Sequence, residues 1–278
     1  MNAAYLQFAP EYLEVDQNLA TVESLLRSVE ADLIVLPELF TSGYFFRSKA
    51  DLETIAEPIP HGRSVMALQS WADSLDATLV AGLAEREGEN LYNSAVVVRP
   101  DGRISVYRKI HLFYEETILF EPGNLGFQVF EETSSEGTSY RLGVMVCFDW
   151  YFPEATRTLA LRGADVIAHP SNLVLPHCPD SMPVRARENH VFTITANRHG
   201  QEEKAGESLR FIGTSEVCDP SGTILTRAGE STDVVEVVEF DPHEARNRHI
   251  NDYNDVIGDR RPETYATKQG RVATVQGR

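Results

Sequence analysis

The stretch Arg141 to Glu154, RLGVMVCFDWYFPE, decides how the chain is read. Its apolar run, Leu142 to Val146, has the length and composition of a strand buried on both faces. Pro153-Glu154 marks the first turn of a helix, where proline's missing N–H would have had no partner anyway. A buried strand running into a helix is the unit of a layered α/β fold. Cys147 stands between the two, at the strand end. In open α/β sheets ligands bind at that end, in the crevice just beyond the strands. The sequence therefore nominates Cys147 as a nucleophile.

The same alternation extends in both directions. Downstream, Pro153 to Arg162 reads as a helix stopped by Gly163, and Asp165 to His169 as a strand. Met182 to His190 is the next helix and Val191 to Ala196 the next strand. Glu202 to Glu207 reads as a polar loop. Gly213 to Cys218 and Thr223 to Thr226 flank the β-turn Asp219-Pro220-Ser221-Gly222, and Val234 to Phe240 is a last strand.

Upstream, Ala4 to Ala9 is a strand ended by Pro10, and Asp16 to Glu30 has helical spacing with Asp16 as a candidate N-cap. Leu33 to Leu36 is a short strand and Gly62 to Leu75 a helix. Thr78 to Ala84 and Ser94 to Val98 are strands, and Asp101-Gly102 turns into Ile104 to Tyr107. A strand near Phe127 to Phe130 and a polar turn from Glu131 to Gly137 precede the Cys147 strand. There is no fixed-period repeat, yet residues 1–110 and 139–240 form two similar halves. That pattern predicts two layered sheets with helices outside, in one continuous domain of 278 residues. From Asp241 the chain turns polar and Arg-rich, as a tail lying on the body or on a partner subunit.

At 42% hydrophobic the chain can bury a large core, and its net charge of −17, with no basic stretch, argues against nucleic-acid binding. Four lysines (Lys49, Lys109, Lys204, Lys268) stand against 21 arginines. Three cysteines (Cys147, Cys178, Cys218) at no metal-ligand spacing suggest a reducing, cytoplasmic setting. The N-terminal residues resemble neither a signal peptide nor a membrane span. No glycine-rich phosphate loop is present, and no cofactor or metal is expected.

A thiol nucleophile has a free pKa of ~8.5 and needs a base. It also needs donors for the oxyanion and a proton for the leaving group. Glu38 ends an apolar strand in Leu36-Pro37-Glu38-Leu39-Phe40. Poorly hydrated there, its carboxylate suits a group that takes and returns a proton. Lys109 lies among apolar residues in Tyr107-Arg108-Lys109-Ile110-His111, where an ammonium needs an anionic partner. Glu115 and Glu116 are both available nearby, and local chemistry does not choose between them. His111 and His169 could serve a Cys-His pair, but neither has a known spacing to Cys147. Cys178 reads as a bystander in a loop and Cys218 as core.

Taken together, LPELF around Glu38, YRKIHLF around Lys109 and CFDWYFPE around Cys147 resemble the three signature segments of the nitrilase superfamily of carbon–nitrogen hydrolases, in order and separation. HPSN at His169 to Asn172 and RARENH at Arg185 to His190 are similar to further family segments. The resemblance spans nearly the whole chain. It implies an α-β-β-α sandwich, a homodimer layered α-β-β-α-α-β-β-α, and a Glu38-Lys109-Cys147 triad. It maps the family's further glutamate onto Glu116, ahead of Phe120-Glu121-Pro122-Gly123. It also implies acyl transfer through a cysteine thioester, with Lys109 and the Phe148 N–H at the oxyanion.

Phe148-Asp149 after the cysteine is similar to the amidase and carbamoylase branches rather than to nitrile hydrolases, which usually carry Trp-Glu. No arginine follows His169 to hold a substrate carboxylate. The expected substrate is a small, neutral, aliphatic amide, with a nitrile or carbamoyl compound as the alternative. Tyr44, Phe148 and Asn172 are the substrate-binding candidates, and Tyr44, Phe113, Tyr114, Phe148 and Phe152 are expected to narrow the pocket. A non-catalytic protein retaining the fold is the remaining alternative, although a scaffold has no need of an acid, a lysine and a cysteine at three strand ends.

Overall fold

The computed structural model describes residues 1–266. Met1–Asn247 form one compact unit and the chain from Arg248 a second. Within the first unit, β1 (Asn2–Gln7), β2 (Leu33–Val35) and β3 (Thr78–Glu87) are parallel neighbours. They are linked by α1 (Val15–Leu26) and by α2 (Lys49–Ile55) with α3 (Arg63–Leu75). The antiparallel strands β4 (Asn90–Val98) and β5 (Ile104–Arg108) extend this sheet on one side.

The second half repeats the plan. After the short helix α4 (Glu116–Leu119) and the strand β6 (Val129–Thr133), β7 (Ser139–Val144), β8 (Val166–Pro170) and β9 (Phe192–Ala196) form a second parallel trio. They are linked by α5 (Pro153–Leu161) and α6 (Cys178–Asn189). A hairpin, β10 (His199–Lys204) and β11 (Glu207–Ile212), leads on to β12 (Glu216–Cys218), β13 (Ile224–Arg227) and β14 (Val234–Glu239). The second sheet runs β13-β12-β9-β8-β7-β6, and the first runs β14-β1-β2-β3-β4-β5.

Side-chain alternation fixes the layers. On β1, Ala3 and Tyr5 face the second sheet while Ala4 and Leu6 face α1 and α3. The same split holds on β4 for Ala95 and Val97 against Val96 and Val98. Strands buried on both faces read as continuous apolar runs, which is why they were legible. Leu159 and Ala160 of α5 and Met182 of α6 cover the outer face of the second sheet, completing four layers, α-β-β-α.

The structure differs from the sequence expectation at several points. Glu131 to Thr133, read as the start of a polar turn, belong to β6 and pair with β7. Residues 202–207 are no loop but the turn region of the β10–β11 hairpin. Asp16 does not cap α1, which begins a residue earlier; it lies exposed in the first turn and pairs with Arg63 at 2.9 Å. The last strand does not belong to the second half, because β14 returns to pair antiparallel with β1. Cys178 opens α6 and is fully buried rather than lying in a loop.

Beyond β14, Pro242–Arg246 forms a 3-10 turn still within the first unit, where Arg246 pairs with Asp165 at 2.9 Å. In the second unit, His249–Asn251 and Asn254–Asp255 form a small antiparallel ladder. The rest of the expected tail, 267–278, lies outside the described residues. No helix among the described residues is long and apolar enough to cross a membrane.

Candidate active site

β7 ends at Val144, and three residues later the chain turns sharply at Cys147, whose φ of 41° lies in the left-handed region that side chains avoid. The turn is bolted from several elements. The buried Asp149 carboxylate accepts the Val146 N–H at 2.9 Å, the Tyr107 hydroxyl at 2.6 Å and the His111 N–H at 3.1 Å. His111 Nδ1 lies 2.8 Å from the same group. His169, on β8, reaches the Cys147 carbonyl with Nε2 at 2.9 Å and the Thr195 hydroxyl with Nδ1 at 3.0 Å. Burial holds His169 down at about 4, only partly offset by its bond to that carbonyl. The neutral ring therefore carries its proton on Nε2 and donates to Cys147 O, while Nδ1 accepts from Thr195.

Glu38 follows β2 on a chain that keeps close to β3. Gly82 N donates to Pro37 O at 3.1 Å and Phe40 N to Gly82 O at 3.0 Å. Glycine is required at 82: a Cβ there would sit 2.4 Å from the Glu38 Cα. The Glu38 side chain is fully buried. Its Oε1 accepts Lys109 Nζ at 2.7 Å and Asn93 Nδ2 at 2.7 Å, and its Oε2 has no partner.

Lys109 follows β5. Its N–H donates to Asn93 O at 2.8 Å, and its carbonyl accepts the Gly123 N–H at 2.9 Å. Its ammonium spans Glu38 and Glu116, 2.7 Å from each. Burial by itself would drive Lys109 down, but Glu116 and Glu38, with help from Cys147, reverse this and raise it.

Glu116 opens α4. Its Oε1 accepts Lys109 and, at 2.6 Å, the Tyr44 hydroxyl; its Oε2 accepts the Phe113 N–H at 3.3 Å. Burial lifts Glu116 to about 7 against the pull of Lys109. Glu115 points elsewhere and pairs with Lys204. Geometry thus separates the two glutamates that local sequence left open.

Cys147 is pushed well above the ordinary thiol range, by burial first and Glu38 second, against Lys109 and the Asn172 backbone N–H. At rest it is a thiol.

Cys147 opens onto a small pocket lined by Phe113, Phe148, Trp150, Asn172, Leu173, Val174 and Leu175. Asn172 is 3% exposed, and neither its Oδ1 nor its Nδ2 has a partner. Of the aromatic residues expected to narrow this pocket, Phe113 and Phe148 line it. Tyr44 and Tyr114 instead line a second cavity with Glu116 and Phe120, and Phe152 stacks on the His111 ring at 3.7 Å. Sequence reasoning missed Asn93, Asp149 as a support, and His169 as the holder of a carbonyl rather than a partner of the thiol. The one available signal for Asn93 was a polar Asn-Ser pair inside the apolar β4 pattern. Among the described residues, no group of three or more His, Cys, Asp or Glu is placed to hold a metal ion.

The sequence model of the family described as Carbon-nitrogen hydrolase matches residues 2–249. The chain is 48% identical over 268 residues to a protein named Nitrilase from Pyrococcus abyssi (strain GE5 / Orsay), covering 95% of this chain and 99% of that one. It is 31% identical over 289 residues to N-carbamoylputrescine amidase of Solanum lycopersicum, covering 95% and 93%. Among solved structures it is similar, at 27% identity and a TM-score of 0.73, to a mutant of the amidase from Nesterenkonia sp. AN1 that shows Michael addition of acrylamide at the active-site cysteine. That match covers 89% of this chain and 96% of the other.

Proposed function

The chain belongs to the carbon–nitrogen hydrolase family, and on that premise we propose that it hydrolyses small, neutral amides to carboxylic acid and ammonia through a thioester on Cys147. The observation that carries this reading is the state of Glu38: one oxygen is saturated by Lys109 and Asn93, and the other is buried and unpartnered. That oxygen is suited to take a proton.

Glu38 takes the Cys147 proton as sulfur attacks the carbonyl carbon. Two N–H bonds of Lys109 go to carboxylates; we assign the third, with the Phe148 N–H, to the oxyanion. As the carbon–nitrogen bond breaks, Glu38 returns the proton to the leaving nitrogen and ammonia departs. Glu38 then takes a proton from water, whose oxygen attacks the thioester. Collapse expels the thiolate, which recovers its proton from Glu38. Because the resting sulfur is a thiol, proton transfer and attack are coupled, as general-base catalysis requires.

Asn172 supports the amide. Its buried side chain offers unpaired donors and an unpaired acceptor beside Cys147. A carboxamide can answer both, whereas a nitrile nitrogen only accepts and would leave Oδ1 unsatisfied. The residues lining the cavity include no cation for a substrate carboxylate. A nitrile remains the second reading, because the 48%-identical relative is named Nitrilase. Asp149, whose oxygens are spent inside the fold, gives no direct contact by which to choose.

Ammonia release from a panel of small amides, nitriles and carbamoyl compounds tests the proposal. We expect turnover of aliphatic amides; turnover of nitriles with none of amides would overturn it.

A further inference from the structure

Building on this thiol-acyl reading, we infer that Glu202, on the β10–β11 hairpin, is a positioning residue that acts through Tyr44 on Glu116. Glu202 is buried, although its neighbours Gln201 and Glu203 are exposed. Its carboxylate accepts the Phe45 N–H at 2.6 Å and the Tyr44 N–H at 3.0 Å. It is ion-paired with the buried Arg198, which also stacks over Phe211 at 4.0 Å. Phe211 in turn meets the Tyr44 ring edge-on, 6.0 Å between centroids.

Gly43 leaves the room for this arrangement. Its φ is +76°, and a Cβ there would lie 2.6 Å from Glu202 Oε1. The loop before α2 is thus wrapped around one carboxylate, and this wrapping aims the Tyr44 hydroxyl at Glu116 Oε1, 2.6 Å away, on the oxygen that also accepts Lys109. At the hairpin tip Lys204 pairs with Glu115, next to Glu116. One hairpin therefore holds both partners of the Tyr44–Glu116 contact.

The contact has a chemical consequence. A hydroxyl donating to the ionised carboxylate favours the charged form of Glu116, so losing it moves protonation to higher pH. The groups facing Glu116 are Lys109, Glu38, Tyr44 and the Phe113 N–H, with Cys147 beyond Lys109 and the paired Glu115–Lys204 alongside. Variants at 44 and 202 keep every other group on this roll. If activity needs ionised Glu116, the acid limb of the kcat/KM profile must then move up in pH.

The test is the pH profile of amide hydrolysis for Tyr44→Phe, Glu202→Gln, Glu202→Asp and the double variant Y44F/E202Q, with Tm recorded alongside. Glu202→Asp withdraws the carboxylate from the loop while keeping a charge for Arg198, so it serves if Glu202→Gln does not fold. We expect Y44F and either Glu202 variant each to raise the acid limb by about one pH unit, and E202Q to add nothing in the Y44F background. A lower Tm with an unmoved limb would reduce Glu202 to a structural role. An equal shift in both backgrounds would show that it does not act through Tyr44. Cys147→Ala, run in parallel, separates the two levels: hydrolysis surviving there overturns the thiol reading, whereas an inactive C147A with unmoved limbs overturns only the positioning role.

Discussion

Asn172 gives the sharpest residue-scale consequence. If its amide answers the substrate amide, Asn172→Ala should lower kcat/KM for a small amide about tenfold to a hundredfold, with Tm within error of the parent. Steady-state kinetics checks this, and an unchanged kcat/KM would remove Asn172 from the site. Glu38→Gln should cost at least ~10³-fold in kcat, because the amide cannot take the thiol proton. Glu38, Lys109 and Cys147 could each be nominated from a strand end whose apolar pattern is local, but only the three motifs around them, read together, grouped them. Asn93 and Glu202 were not, because their partners lie 55 and 158 residues away and only the fold brings them together. Glu116 was legible only through family resemblance; the geometry that sets it apart from Glu115 is tertiary.

At the scale of elements, the site depends on how closely strands approach and on how the Cys147 turn is tied down. Gly82→Ala should destabilise by about 1–3 kcal/mol, because the added methyl meets backbone rather than a movable side chain. It should also lower kcat by displacing Glu38; denaturant unfolding and kinetics read the two effects separately.

The turn carries a pH signature. His169 stays neutral in the fold to about pH 4, against an ordinary 6.5, so the unfolded chain binds a proton in that window and the folded one does not. Stability from this group is complete above pH 6.5 and declines as pH falls toward 4, by about 2 kcal/mol at pH 5. Glu116 and Glu216, both lifted to about 7 by burial, contribute with the opposite sign, losing stability as pH rises from 4.5 to 7. A difference measurement cancels them: the stability gap between wild type and His169→Gln should narrow by that amount between pH 7 and pH 5. A constant gap would contradict the neutral assignment.

The β10–β11 hairpin escaped the sequence reading for a local reason. Its two-residue turn, Ala205-Gly206, has positive φ at both positions, where Asn-Gly or Asp-Gly is the usual signal. Its strands are also mostly polar, with no apolar run to reveal them.

At the scale of the molecule, the site exists because two sheets meet. The first supplies Glu38 and Lys109 beyond β2 and β5, and the second supplies Cys147 and Asn172 beyond β7 and β8. The doubled pattern of strand and helix made this layering readable. The return of β14 to β1 was not, since an apolar strand does not declare its sheet. Tyr151, Leu161 and Val184 leave apolar surface exposed on and beside α5 and α6. If two copies of the chain associate there, sedimentation should give a dimer that Leu161→Glu with Val184→Glu converts to monomers; a monomeric wild type would refute that association.

We propose that Cys147 carries the acyl group. Acid quench during turnover of a slow amide, followed by mass spectrometry of the intact chain and its peptides, tests it directly. We expect an adduct equal to the substrate minus ammonia on the peptide containing Cys147, absent in Cys147→Ala. Product formed with Cys147 unmodified throughout, or the adduct on another residue, would contradict it.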